Sequence, residues 1–224
     1  MSVFELVIAN QNYSSWSLRP WLALKHAGLP FSVTVIPLRQ DDTKARILAR
    51  SPSGKVPALI HDGLTVWDSL AICEYVAERA PDAGLWPSDR AARAIARSVA
   101  AEMHSGFTAL RSNMPMNIRG DLPGWGRAPG VADDIARIEA IWTDLRQRFG
   151  AEGPYLFGGF TIADAMYAPV VRRFKTYGVT VNPTAQAYAD AVQAHPAMQE
   201  WTAAALAETW AIDYPVLPPA RCDD

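Results

Sequence analysis

The spacing of apolar and polar positions changes character once along the chain, near residue 80. Before that point it describes short strands alternating with helices. Phe4 to Ala9 is an almost continuous apolar run and predicts a strand; Ser17 to Ala27 predicts a helix stopped by Gly28. Phe31 to Ile36 is a β-branched strand ahead of Pro37, which makes the start a βαβ unit whose right-handed crossover sets the two strands parallel. Asp41 to Arg50 predicts a short helix or helical turn. Ala58 to His61 and Leu64 to Trp67 are two short runs joined by Asp62-Gly63, a strong hairpin turn. Leu70, Ile72, Tyr75 and Val76 then share one face of a helix ending near Arg79, so the order is βαβ-α-ββα.

Ala80-Pro81-Asp82-Ala83-Gly84, followed by Leu85-Trp86-Pro87, reads as a turn-rich linker, beyond which strand signals almost vanish. From Ser88 to about Asn113, Ile95, Val99 and Met103 recur every four residues and predict a long helix with a break near Gly106. Residues 114–130 collect Pro, Gly and Trp in NIRGDLPGWGRAPG, a connection long enough to be mobile or to help build a site. Val131 to Phe149 is again helical, with Ile135, Ile138, Ile141, Trp142 and Leu145 directed inward. Thr161-Ile162-Ala163-Asp164 has the form of a capping box, opening a helix that buries Ala165, Tyr167 and Val170 and is bent by Pro169. Helices are also expected around Pro183 to Ala194 and Pro196 to Glu208. The fold expected is α/β followed by all-α: one domain over residues 1–82 and an all-helical one over 88–224.

Composition narrows the partners. Half of the 224 residues are apolar, enough for sizeable cores, and 21 basic against 23 acidic residues are interspersed, so no basic stripe points to nucleic acid. Cys73 and Cys222 form no disulfide framework, and with four scattered histidines they supply no metal-ligand spacing. No signal peptide or membrane-length apolar stretch is expected from the start at Met1-Ser2-Val3 onward, which fits a cytoplasmic, reducing location.

The segment richest in candidate chemistry runs from Ser51 to Glu78. Asp68-Ser69 stands where a helix N-cap belongs, and the free N–H groups of that first turn, with a serine hydroxyl added, suit a carboxylate; an ordinary capped helix has the same residues. Val56-Pro57 is equally open, because proline is permitted at the first residue of any strand.

Taken together in this order, NYSSWSLRPWLAL (12–24), SGKVPAL leading into DSLAICEYVAE (53–78) and FTIADAMYAP (160–169) resemble the glutathione S-transferase superfamily over nearly the whole chain. The resemblance is to bacterial-type members with a zeta-like Ser-Ser motif. It implies a thioredoxin-like, glutathione-binding N-terminal domain, a helical domain contributing the electrophile site, glutathione as co-substrate without a metal, and a two-fold homodimer. It also implies a cis Val56-Pro57 bond that presents the Val56 backbone to the cysteinyl part of glutathione. Asp68 would pair with the γ-glutamyl ammonium and Ser69 with its α-carboxylate. Lys55 would reach a peptide or glycine carboxylate, or stay solvated.

The chemistry implied is activation of the glutathione thiol, which resembles a cysteine thiol with a pKa near ~8.5, by a hydroxyl at a helix N-terminus. Aligned to the Ser-Ser-Cys-x-x-Arg pattern of zeta-class enzymes, Ser14 takes the catalytic position; a delta-like alignment selects Ser15. Trp16 stands where zeta and beta classes carry cysteine. Ser17 reads as a plain N-cap, and Arg19 as a residue packing or pairing between domains. Trp16, His104 and Phe107, with Met114 and Met116, are the expected lining for a small hydrophobic or acidic electrophile, although such side chains are also ordinary core. Arg173-Phe174 resembles the pair near the substrate carboxylate of zeta-class isomerases; the alternative is an exposed helix charge. The activities implied are thiolate addition to an electrophile, isomerisation of the maleylacetoacetate type, or a non-catalytic binding role for the same fold.

Overall fold

A computed structural model describes residues 3–219, so Cys222 lies outside the described residues. Its first half is built on strands β1 (Phe4–Ile8), β2 (Phe31–Val35), β3 (Ala58–His61) and β4 (Leu64–Trp67), in the sheet order β2-β1-β3-β4. β1 and β2 are parallel, while β1 pairs antiparallel with β3, Leu6 opposite Leu59, and β3 with β4 through the Asp62-Gly63 turn. Helices α1 (Ser15–His26), α2 (Thr43–Leu48) and α3 (Ser69–Arg79) complete this unit. Because side chains alternate along a strand, Phe4, Leu6 and Ile8 face the main core against α1 and α3, while Val7 joins Ile36, Ile47 and Ala58 on the other side.

The remainder is helical: α4 (Arg90–Ser105), α5 (Thr108–Asn113), α6 (Val131–Phe149), α7 (Ile162–Tyr177), α8 (Pro183–Ala194) and α9 (Pro196–Ala207). This is the thioredoxin-like domain followed by an all-helical domain that the sequence predicts. The long helix breaks at Gly106, where an added Cβ would stand 2.7 Å from the Glu102 carbonyl, and Phe107 follows at a φ of +57°. α7 runs on through Pro169, and α1 likewise contains Pro20.

α7 is buried along nearly its whole length, and the capping box makes its start permissible inside protein. Asp164 accepts from the N–H of Leu156 at 3.0 Å and from the N–H and hydroxyl of Thr161 at 2.8 and 2.9 Å. Burial pushes its carboxyl up to about 6 against the pull of those hydrogen bonds. Asp164→Ala orphans two backbone N–H groups in the interior and is expected to cost about 2–4 kcal/mol in a denaturant titration, without change in the slope of the transition.

Candidate functional site

α1 begins at the seam between sheet and helices, and its first turn carries three serines. Ser14 is the N-cap, accepting from the Ser17 N–H, so the expectation that Ser17 is the cap is corrected: Ser17 lies inside the first turn. The fully buried Ser17 Oγ accepts the Ala9 N–H at 3.2 Å and lies 2.7 Å from Ser14 Oγ. With Ser17 donating to Ser14, the Ser14 proton is free for the cavity; the opposite direction leaves the buried Ser17 proton without another hydrogen-bond partner among the described residues. Ser15 Oγ accepts from Arg173 Nη2 at 3.2 Å, which leaves its own proton free as well. Both serines line a cavity of about 690 Å³ with Tyr13, Arg111, Met116 and Arg173.

Arg173 is 4% exposed, which excludes a solvated helix charge. Its Nε donates to the Met114 carbonyl at 2.8 Å, and its Nη1 is buried with no partner among the described residues. Arg19 is 1% exposed, and its Nε and Nη1 also lack partners. Among the described residues it has no ion-pair partner; its guanidinium packs 4.3 Å from the Trp16 ring centroid, and that of Arg111 lies 4.7 Å from the same ring. Burial, followed by the neighbouring cations, pulls Arg19 down to about 9 and Arg173 down to about 10. Among the described residues no carboxylate lines this cavity. The Arg111 and Arg173 guanidiniums on the cavity wall, with the Arg19 guanidinium against Trp16, make this region electropositive, and an incoming anion would relieve it.

A second cavity of about 610 Å³ adjoins the first through shared Trp16, Lys55 and Val56, and adds Pro57, Asp68, Ser69 and His104. The Val56-Pro57 bond is cis. Asp68, not Ser69, is the N-cap of α3: its Oδ1 accepts from Leu70 N–H at 2.9 Å and Ala71 N–H at 3.4 Å, at a φ of +75°. Ser69 is the first helical residue, and its buried Oγ has no partner among the described residues, a donor left over at a helix N-terminus. Lys55 is exposed at the rim of both cavities.

Three lining assignments change: Met114 is fully buried in the core and lines neither cavity, while Met116 does line the first. His104 belongs to the second cavity, with Nε2 3.2 Å from Asp68 Oδ2 and its ring edge-on to Trp16 at 5.3 Å; burial lowers its pKa, so it meets Asp68 as a neutral imidazole near neutral pH. Phe107 turns into the core at 7% exposure and lines neither cavity, because the left-handed backbone after Gly106 redirects it. Arg111, Tyr13 and Tyr214 were not singled out from the sequence. Arg111 is one arginine among many in an Ala- and Arg-rich stretch of sequence, and Tyr214 follows the last helix in a segment without periodicity. Among the described residues no group of three or more His, Cys, Asp or Glu is placed to hold a metal, and no helix is long and apolar enough to cross a membrane.

The family described as Glutathione S-transferase, N-terminal domain, matches residues 13–79, and the corresponding C-terminal domain family matches residues 128–204. A maleylacetoacetate isomerase from Pseudomonas aeruginosa is 31% identical over 202 residues, covering 84% of this chain and 90% of that protein. The chain belongs to the glutathione S-transferase superfamily. A probable maleylacetoacetate isomerase from Caenorhabditis elegans is 29% identical over 171 residues, covering 75% of this chain and 78% of its own length. Among solved structures, a glutathione transferase homolog from Burkholderia with bound glutathione superposes with a TM-score of 0.70 at 25% identity, covering 92% of this chain and 99% of that one.

In this glutathione S-transferase fold the cap at Asp68 combines two side-chain hydrogen bonds with an unfavourable backbone angle. Asp68→Ala is expected to lose about 1–2 kcal/mol in urea unfolding. Asp68→Gly should lose less, because glycine adopts the positive φ freely; equal losses would remove the strain from this account.

Proposed function

We propose that this chain binds glutathione across the two joined cavities, activates it as the thiolate, and adds it to an electrophile that carries a carboxylate. The glutathione backbone lies along the Val56 main chain. Its γ-glutamyl group meets Asp68 and Ser69, the ammonium at the Asp68 carboxylate and the α-carboxylate at the unpartnered Ser69 hydroxyl and the first N–H groups of α3. Lys55 is positioned at the rim for the ligand's remaining carboxylate. The sulfur points to Ser14, whose proton is directed outward by the Ser17 hydrogen bond, with Ser15 beside it. The addition forms a C–S bond as the electron pair moves onto the electrophile, and no metal is needed for this step.

One observation carries the choice of an acidic electrophile: among the described residues the buried Arg173 Nη1 has no partner, and no carboxylate lines its cavity. An unsatisfied guanidinium in the interior is costly unless a ligand completes it, and a carboxylate is its geometric match. The same geometry supports an isomerase of the maleylacetoacetate type, in which thiolate adds, the substrate rotates about the bond made single, and thiolate is expelled; the similarity to isomerases favours this second reading. Addition to a neutral hydrophobic electrophile and a non-catalytic binding role are the outcomes that the arginine wall argues against. The working form is a cytoplasmic homodimer, measurable by light scattering.

Calorimetric titration with glutathione tests the binding step, and no detectable binding at millimolar ligand sinks every glutathione-dependent reading. An activity panel of aryl halides, peroxides and maleylacetoacetate with glutathione then separates the reactions. Ser14→Ala should raise the pKa of the bound thiol by about 1–2 units and slow addition about 10–100-fold. A collapse in Ser15→Ala with Ser14→Ala unaffected would move the role by one residue. Arg173→Lys, which loses the planar fork, should lower kcat/KM on the acidic substrate about 100-fold while changing turnover of a neutral aryl halide only a few-fold; equal losses on both would mean that Arg173 only supports the fold.

A further inference from the structure

The loop that delivers Ser14 is held largely by residues far along the chain. The Gln11 carbonyl accepts from Trp201 Nε1 at 2.9 Å, the Asn12 carbonyl from Ile118 N–H at 3.2 Å, and Asn12 Oδ1 from Arg119 N–H at 2.8 Å. The two N–H groups of Gln11 and Asn12 both go to one carboxylate: Gln11 donates to Glu208 Oε1 at 2.6 Å and Asn12 to Glu208 Oε2 at 3.0 Å. Carboxylate bonds to backbone N–H groups are charge-assisted and about twice as strong as neutral ones. A single side chain thus fixes two consecutive peptides directly before Tyr13 and the Ser14 cap.

We infer that Glu208 is a positioning residue of the reaction, holding the Asn10–Ser14 loop so that the Ser14 hydroxyl meets the sulfur at donor distance. This rests on the reading of Ser14 as the thiolate's partner. The side chain is not required to end α9, since the Glu208 backbone N–H already caps that helix on Ala204 O. Glu208 also begins a non-helical strap across the site. Arg119 binds the carbonyls of Glu208 and Trp210, the Ile212 N–H donates to the Tyr13 hydroxyl at 3.1 Å, and Arg39 holds the Asp213 carbonyl. The strap ends with Tyr214 lining the serine cavity, 5.6 Å from the Tyr13 ring. Loop and cavity wall therefore share one anchor.

The test uses the full chain with glutathione as probe, beginning with calorimetry on the unaltered protein; failure to bind there removes the reading underneath, not the role of Glu208 within it. Given binding, thiolate absorbance against pH and the pH profile of kcat/KM are compared with Glu208→Gln. The amide offers one acceptor where two are needed, so the midpoint of thiol ionisation should rise by about 0.5–1 unit and kcat/KM below it should fall about three- to tenfold. An unchanged midpoint in a folded variant would reduce Glu208 to a structural tie. A lowered midpoint would show that only its negative field is felt, which also overturns the inference. If Glu208→Gln fails to fold, Glu208→Asp, with the charge kept on a shorter arm, is read by the same midpoint.

Discussion

The burial of α1 between the sheet and α7 is the constraint on which this site depends. α1 touches α3 on one side and α7 on the other, and one continuous core runs from Leu6 and Leu22 through Met103 to Tyr167. A helix enclosed in this way has its polar N-terminus at the seam between sheet and helices, where its first N–H groups need partners. Ser14 Oγ accepts the Ser17 N–H, so the side chain that caps the helix is also one that faces the cavity, beside Ser15 and Arg173. Stability and chemistry use the same atoms here.

The charge distribution along the joined cavities is lopsided. Arg111 and Arg173 line the serine end, with Arg19 stacked on Trp16, while Asp68 stands at the far end beside His104. Each buried guanidinium is held below its usual range by desolvation and by its neighbours, so the pocket favours an anion before any ligand contact is counted. A zwitterionic group at the Asp68 end and a thiolate at the serine end complement that polarity. Trp16 separates the two, its indole face occupied by arginines.

Much of this was legible in local signals. The apolar run from Phe4, the Asp62-Gly63 turn and the Thr161–Asp164 box each depend on interactions within a few residues, and each formed where the pattern puts it. Asp68-Ser69 was legible as a helix start, but the division of labour was not: the backbone angle at Asp68 makes it the cap and releases Ser69. Ser17 shows the same limit, since three serines within four positions have similar capping preferences and only the packing against Ala9 distinguishes them. The break near Gly106 was legible too, but not its effect: the left-handed backbone at Phe107 turns that side chain into the core and leaves His104 at the cavity.

The sequence by itself determined the element order, the change from α/β to all-helical structure, and the motifs that mark the glutathione S-transferase superfamily, because periodicity, turns and caps are short-range effects. The tertiary structure decided which charges are buried and which distant residues meet. Arg173 reads as solvated until α7 is enclosed, and Glu208 joins Gln11 and Asn12 across almost the whole chain. Such contacts leave no periodic trace; they arise from how the sheet and the helices pack around α1, and burial turns an ordinary arginine or glutamate into part of a site.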